Sequence, residues 1–264
     1  MLKITTHTVV KNEENWIWYA LMSVRDLVDK MLIFDDASTD KTWEIIKSIK
    51  DPKIGATRGS FAVASEIRNQ MLEQTETDWF LILDGDEIWN RETFKELLSF
   101  LESCPKDIWG VVMRVRNCVG DVYHYQPETA GRYKILGKTG NLNIRAYRKL
   151  TNLRWQWDFP RETYGDASNV PINDQPGHLR FFNGFYWHMT FMPRTGVPAD
   201  RKYRQKTSVE MGIKIKAERE LPEVFFLKRP GIVPDPLKKR NWQYETKAAL
   251  ITPLKEIKRS LWNQ

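Results

Sequence analysis

The first 54 residues contain no glycine, and the whole chain of 264 residues has only two cysteines. A Gly-rich phosphate-binding loop near the N-terminus is therefore missing, which argues against the nucleotidyltransferases that usually carry one there. Cys104 and Cys118 do not have the spacing of metal ligands. We expect them to be two buried free thiols in a reducing compartment.

Long apolar runs are also missing. No stretch approaches the roughly 18 residues that a membrane-spanning helix needs, and the N-terminus lacks the charged and apolar regions of a signal peptide. The composition, with 41% hydrophobic and 28% charged residues, is that of a soluble globular protein. These features together predict a cytoplasmic protein.

The net charge of +7 is unevenly spread along the chain. Residues 1–200 carry 25 Lys and Arg against 27 Asp and Glu, whereas residues 201–264 carry 16 against 7. A basic segment of this kind can contact an anionic membrane or nucleic acid, or it can be a solvated helical face. We expect a solvated face, with peripheral membrane contact as the alternative, and no nucleic acid partner.

The first hundred residues alternate between strand and helix patterns. Short β-branched or apolar runs, typical of strands, are followed each time by apolar residues at helical spacing. Asn12 is predicted to cap the first helix. The predicted strands are 3–10, 31–34, 54–57 and 79–83, and the helices after the first are 39–49, 61–74 and 91–102. Because the strands are nearly continuous apolar runs, we expect an α/β fold with a mostly parallel central sheet covered by helices.

After residue 105 the pattern changes. Strands are predicted at 108–116 and 143–149, a polar loop at 120–140 and a helix at 199–220. We therefore divide the chain into three parts. These are a nucleotide-binding half at 1–105, an acceptor-binding half of the same domain at 106–198, and a basic C-terminal appendage at 199–264.

Acidic residues follow two of the predicted strands. Asp35 and Asp36 end one strand, and Asp84-Gly-Asp86 ends another. In parallel sheets, ligands bind outside the carboxyl ends of the strands, where both acidic pairs would lie. Two carboxylates on a bend can bind Mg²⁺ or Mn²⁺ together with substrate phosphate oxygens. Asp36 can accept a hydrogen bond from a base or ribose, or it can cap the following helix.

Four segments in this order resemble the inverting family 2 glycosyltransferases of GT-A fold. The resemblance covers about residues 3–104. The segments are Val9-Val-Lys-Asn-Glu13, Phe34-Asp-Asp-Ala-Ser-Thr-Asp-Lys-Thr42, Ser65-Glu-Ile-Arg-Asn69 and Leu83-Asp-Gly-Asp-Glu87. The resemblance implies transfer of a sugar from a nucleotide diphosphate donor, usually with Mg²⁺ or Mn²⁺. The implied acceptor is a glycan, a lipid-linked molecule or a protein side chain.

The resemblance also implies roles for residues of the donor side. Asp36 would bind the nucleotide base, and Val10 and Glu13 would line the nucleoside pocket. Arg68 would contact the diphosphate or donor sugar, a role that suits a guanidinium. The alternative for Arg68 is an ion pair on the surface of its own helix.

The same resemblance assigns the metal site. Asp86 would be the principal metal ligand, and Asp84 would lie close to the donor ribose or sugar and to the metal. His188, in an aromatic strand-like run, would complete the metal site or contact phosphate. A hydrogen-bonded core residue is the other interpretation of His188.

The acceptor side matches less closely. In Trp155-Gln-Trp-Asp-Phe-Pro-Arg-Glu-Thr163, Arg161 stands where family members often have His. Inverting transfer needs a base that faces the acceptor hydroxyl. We expect Glu162 to be that base, with Asp158 as its rival, next to Trp155 and Trp157 as ring-stacking candidates. A nucleotidyltransferase and a non-catalytic nucleotide-sugar-binding protein of the same fold are the remaining functional alternatives.

Overall fold

The computed structural model describes residues 2–61, 63–157, 162–192 and 208–262. The N-terminal half alternates strands and helices. In chain order it contains β1 (Ile4–Val10), α1 (Ile17–Val24), β2 (Lys30–Asp36), α2 (Thr42–Ser48), β3 (Ile54–Gly59), α3 (Ala64–Glu73), β4 (Trp79–Ile82), β5 (Glu87–Ile88) and α4 (Arg91–Glu102).

The described residues beyond Glu102 are mainly strands. In chain order they form β6 (Gly110–Val119), β7 (Asp121–Tyr125), β8 (Tyr133–Ile135), β9 (Lys138–Gly140), β10 (Leu142–Arg148), β11 (Leu153–Gln156), β12 (Thr163–Asp166), β13 (Leu179–His188) and β14 (Ile213–Lys214), followed by helix α5 (Trp242–Trp262). Several short 3-10 turns connect them.

Local sequence explains the central elements. All four residues of β4 are buried, as expected for a strand covered on both faces. In α4 the buried side chains are Phe94, Leu97, Leu98 and Leu101, at the spacing of one helical face. The buried residues of α4 belong to the main hydrophobic core, and those of β4 are shared between this core and the smaller core beside it.

One ten-stranded sheet organises the chain. Its continuous order is β14-β7-β6-β10-β4-β1-β2-β3, with β13 paired to β6 and β5. The strands β3, β2, β1 and β4 run parallel to one another. Strand β10 runs antiparallel to both β4 and β6. The predicted α/β fold is therefore confirmed, and the carboxyl ends of β1, β2 and β4 share one edge.

Three local predictions are wrong. The segment 120–140 is not a loop, because it contains β7, β8 and β9. Residues 208–220, the described part of the predicted helix 199–220, instead contain β14 and a 3-10 turn. Asn12 does not cap α1, whose N-terminal residue follows Trp16. Asn12 has a positive φ of 55° and bonds the loop after β2 instead.

The C-terminal part packs onto the sheet domain. Leu221, Val224, Phe225 and Val233 belong to the main hydrophobic core. The Tyr19 hydroxyl donates a hydrogen bond to the carbonyl of Pro234 at 2.7 Å. These contacts fix the segment that leads to α5. The division of the chain at residues 105 and 198 stays a prediction. Among the described residues, no helix is long and apolar enough to cross a membrane.

Candidate active site

The loops that follow β1 and β2 are hydrogen-bonded to each other at the carboxyl edge of the sheet. The Asn12 amide donates to Ser38 Oγ at 2.9 Å, and the Thr39 amide donates to Asn12 Oδ1 at 2.8 Å. The Glu13 amide donates to Thr42 Oγ1 at 2.7 Å. Backbone donors of each loop are thus satisfied by side chains of the other, which gives this edge a fixed shape.

The two acids at the end of β2 have different surroundings. Asp35 is fully buried, and its Oδ2 lies 3.0 Å from Arg58 Nε and accepts from the Ser38 amide at 3.2 Å. Asp36 is partly exposed, and its Oδ2 lies 2.8 Å from Lys11 Nζ. Asp35 therefore anchors the loop, whereas part of the Asp36 side chain stays exposed at the end of β2.

The bend Asp84-Gly85-Asp86 rests directly on the end of β1. A Cβ atom at Gly85 would lie 2.8 Å from Val10 Cγ2 and 3.2 Å from Glu13 Cγ. The contact with Val10 is shorter than real Cβ atoms make, so any other residue between the two acids would force the bend or Val10 to shift. Val10 and Glu13 are both buried and support the bend from below.

A bulge in β10 aims an arginine at this bend. Ile144 pairs with Val112 and Ala146 with Val111, so Arg145 is the extra residue of the bulged strand. Its Nη2 donates to Asp84 Oδ2 at 2.9 Å and also contacts the Glu87 carboxylate. Bulges next to active sites commonly re-aim a side chain in this way.

The third partner of Arg145 is Tyr186 on β13. Arg145 Nε donates to the Tyr186 hydroxyl at 3.1 Å, and Asn143 Nδ2 donates to the same oxygen at 2.9 Å. Glu87 is fully buried. Burial raises the pKa of Glu87 to about 7, while Arg145 acts in the opposite direction. The network thus holds Asp84 in one orientation through a buried guanidinium.

Asp86 is paired with His188. Strand β13 runs antiparallel to β5, and the Met189 amide donates to the Asp86 carbonyl at 2.9 Å. This pairing leaves His188 Nε2 3.2 Å from Asp86 Oδ2. Burial acts to lower the pKa of His188, but the adjacent Asp86 outweighs it and raises that pKa.

A third cluster joins α3 to the segment that contains Glu162. Arg68 on α3 lies with its guanidinium 5.1 Å from the ring centroid of Trp155. Its Nε contacts the Glu162 carboxylate, and its Nη2 is 3.9 Å from Asp84 Oδ1. The alternative of a surface ion pair within α3 is not observed, because Arg68 is nearly buried and points toward Asp84 and Glu162.

Strand β11 is tied to α3 by the residue after Arg68. Asn69 Nδ2 donates to the Trp155 carbonyl, and the Trp155 amide donates to Asn69 Oδ1, both at 2.9 Å. Trp155 is buried in the smaller core, so it supports Arg68 and does not offer a free stacking face. Trp157 is exposed. Asp158 and Arg161 lie outside the described residues.

The sequence matches the family model for glycosyl transferase family 2 over residues 5–182, more than half of the chain. The chain belongs to glycosyl transferase family 2. The match covers β1 to β4, the acidic bend and the segment that contains Glu162. The predicted family is thereby confirmed.

Curated relatives of this family 2 domain match part of it. The poly(ribitol-phosphate) beta-N-acetylglucosaminyltransferase TarS of Staphylococcus aureus is 26% identical over 144 residues, which is 52% of this chain and 25% of that protein. The UDP-Glc:alpha-D-GlcNAc-diphosphoundecaprenol beta-1,3-glucosyltransferase WfaP of Escherichia coli is 32% identical over 75 residues, 28% of this chain and 30% of that protein. The matches span only a quarter to a third of these relatives.

A solved structure also resembles this family 2 chain. It is the glucosyl-3-phosphoglycerate synthase of Mycobacterium tuberculosis in complex with Mn²⁺, UDP-Glc and phosphoglyceric acid. The two share 16% sequence identity and a TM-score of 0.49, over 79% of this chain and 77% of that chain.

The sequence predicted that most residues of the candidate site lie at the same edge of the sheet. Arg145, Tyr186 and Asn143 were not predicted. These three lie on strands of the second half, 41 to 61 residues away from their partners in the network. Isolated Arg, Tyr and Asn residues in strand patterns carry no local signal of such a contact. The bulge that aims Arg145 appears only once the register of β10 is known.

Proposed function

We propose that this chain is an inverting glycosyltransferase that moves a sugar from a nucleoside diphosphate to an acceptor hydroxyl. The observation that carries the proposal is the cluster at the sheet edge. The acidic bend, held by Arg145, is linked through Arg68 to Glu162 of the acceptor side. Donor acids, a phosphate-binding cation and a candidate base therefore lie within one group of contacts.

Donor binding is assigned first to the edge formed by the loops after β1 and β2. Asp36 would accept a hydrogen bond from the base, with Lys11 as its neighbour. Val10 and Glu13 form the floor between this position and the acidic bend. Arg68 would contact the diphosphate, since its guanidinium already lies close to Asp84.

A divalent metal, Mn²⁺ or Mg²⁺, would bind beside Asp86. Its carboxylate and the imidazole of His188 lie 3.2 Å apart, and both are ligand types that Mn²⁺ accepts. No group of three or more His, Cys, Asp or Glu side chains among the described residues is arranged to hold a metal. The remaining ligands would be diphosphate oxygens and water, as is usual for Mg²⁺. Such a metal would neutralise charge on the leaving diphosphate.

Asp84 is assigned to the donor sugar or ribose and to the outer part of the metal site. Its Oδ2 bonds Arg145 and its Oδ1 faces Arg68. The two neighbouring guanidinium groups would compete with a metal for this carboxylate. This geometry supports a division of labour in which Asp86 binds the metal and Asp84 positions the sugar.

Glu162 is proposed as the general base. It would take the proton from the acceptor hydroxyl while the acceptor oxygen bonds the anomeric carbon. The bond from that carbon to the diphosphate oxygen breaks, and the anomeric configuration inverts. The Arg68 guanidinium in contact with Glu162 favours the ionised carboxylate that a base requires. Arg68 would thus keep Glu162 ionised, and the same role proposed for Arg161 falls on a residue outside the described ranges.

The acceptor is proposed to be a glycan or a lipid-linked glycan. The names of TarS and WfaP describe a poly(ribitol-phosphate) acceptor and a diphosphoundecaprenol-linked acceptor. Both acceptors contain phosphate. A protein side chain is the alternative acceptor class.

The decisive experiment measures release of nucleoside diphosphate from a panel of nucleotide sugars with Mn²⁺. Asp86→Ala should lower release by roughly 10²- to 10³-fold, because a metal supplies several kcal/mol of transition-state stabilisation. Asp107→Ala is the matched control, since that aspartate is exposed and far along the chain from the bend. Unchanged activity in excess EDTA would contradict the metal role. Release of pyrophosphate from a nucleoside triphosphate and a sugar phosphate would indicate a nucleotidyltransferase instead.

A further inference from the structure

Helix α5 is attached to the domain through a polar face. Arg259 Nη2 lies 2.8 Å from Glu210 Oε2, and the Tyr244 hydroxyl donates to the Glu210 carbonyl at 3.3 Å. The Met211 amide donates to Thr252 Oγ1 at 2.8 Å. Ala248, on the same side of the helix, is fully buried. These contacts fix the rotation of α5 about its own axis.

The opposite side of α5 exposes large apolar side chains. They are Leu250 (72% exposed), Leu254 (67%), Ile257 (59%) and Leu261 (67%). At about 100° per residue these four positions fall within one narrow stripe, which we call the outer stripe. Trp242, 74% exposed, lies at the start of the helix. A surface helix normally turns its apolar stripe toward the core. In α5 the polar contacts to Glu210 and Met211 keep the apolar stripe turned away from the core.

The surroundings of the outer stripe are basic. Lys247 and Lys258 follow the stripe along one side at helical spacing, and both are exposed. Residues 201–264, which include α5, carry 16 Lys and Arg against 7 Asp and Glu. A helix with an apolar stripe, flanking lysines and an exposed tryptophan has the chemistry of a helix that lies in the interface of an anionic bilayer.

We propose that the outer stripe of α5 binds the surface of a membrane that contains anionic phospholipid. The leucine and isoleucine side chains enter the acyl boundary, and the lysines contact the headgroup phosphates. Charge complementarity favours a lipid surface, because the lysines beside the stripe and the phospholipid headgroups carry opposite charges. The proposal concerns where the protein is held, so it does not depend on the proposed function.

Co-sedimentation with phosphatidylcholine vesicles, with and without phosphatidylglycerol, tests the proposal on the full chain. Binding is expected to be roughly tenfold or more stronger on the anionic vesicles, since lysines near such a surface are attracted to the headgroup phosphates. It should weaken from about 0.1 M to about 1 M salt, as the Debye length falls from about 10 Å to about 3 Å.

The variant Leu254→Asp/Ile257→Asp should lose at least roughly tenfold in vesicle binding, because it removes apolar area from the stripe and adds like charge to the lipid. Ala249→Asp/Ser260→Asp is the matched control. It adds the same charge to the same helix at exposed positions outside the stripe, so it should retain most of the binding. Far-UV circular dichroism and release of nucleoside diphosphate should be unchanged in both variants.

Equal loss of binding in the two variants would show that only net charge matters and would overturn the assignment to the stripe. Equal binding to vesicles with and without phosphatidylglycerol would overturn the anionic lipid as partner. Light scattering after size exclusion supplies the third outcome. The wild type could be a dimer that becomes a monomer in Leu254→Asp/Ile257→Asp, while neither protein binds vesicles. That result would assign the outer stripe to a contact with a second copy of the chain.

Discussion

Removal of the Arg145 side chain should destabilise the protein strongly. In Arg145→Met the fully buried Glu87 loses its cation, and Asp84 loses a 2.9 Å hydrogen bond. Breaking a buried ion pair by removing one partner costs about 3–5 kcal/mol, because the other charge stays uncompensated. Glu87 can escape part of this cost by taking up a proton, since burial already raises its pKa to about 7. We therefore expect a loss of about 3 kcal/mol in the free energy of unfolding.

The assay is urea unfolding followed by tryptophan fluorescence, with Arg154→Met as the matched control. Arg154 pairs with Glu73 at 3.0 Å, but both side chains are well exposed. Exposed pairs contribute about 0–1 kcal/mol, so the same substitution there should have little effect. Glu87→Gln should restore part of the stability lost in Arg145→Met, with a coupling free energy of about 0.5–3 kcal/mol. If Arg145→Met and Arg154→Met were equally stable, the bulged arginine would not be neutralising a buried carboxylate.

Three further predictions concern other residues. The ring of His7 is buried, its Nε2 lies 2.7 Å from Thr75 Oγ1, and burial lowers its pKa from 6.5 to about 3. Its neutral form therefore contributes stability above pH 6.5 that is lost on acidification, about 2 kcal/mol by pH 5, and His7→Phe should flatten this slope in unfolding curves. Asp36→Ala should weaken binding of the nucleoside diphosphate by about 1–3 kcal/mol in calorimetry, and unchanged affinity would return Asp36 to a structural role. Glu162→Gln should slow transfer by about 10²- to 10⁴-fold with donor binding intact, whereas a variant within a few-fold of wild type would move the base elsewhere.

The sequence by itself determined most of the order of strands and helices in residues 1–105. Burial of a strand or a helical face is a local pattern, so α4 begins and ends where its apolar spacing predicts, at Arg91 and Glu102. The apolar run of β4 likewise marks a strand covered on both faces. Because parallel strands end at a common edge, the acids after β2 and β4 were expected to share one side of the sheet.

Local patterns failed where strand formation depends on partners. The polar segment 120–140 has little apolar periodicity of its own. Its strands exist because β7 pairs with β6 and because β8 and β9 pair with each other. At 208–220 helical spacing was present in the sequence, but the pairing of β14 with β7 prevailed. Tertiary contacts override intrinsic preference in short elements of this kind.

Only the tertiary structure decided which partner each acid at the sheet edge has. The family resemblance singled out Asp36, but the burial of Asp35 in an ion pair depends on the position of Arg58 on the neighbouring strand. The pairing of His188 with Asp86 depends on the antiparallel register of β13 and β5. That of Arg145 with Asp84 depends on a single inserted residue in β10. Charge pairing is set by distances of a few ångströms between strands far apart in sequence, and such distances are fixed by sheet register, which the order of residues along one strand does not contain.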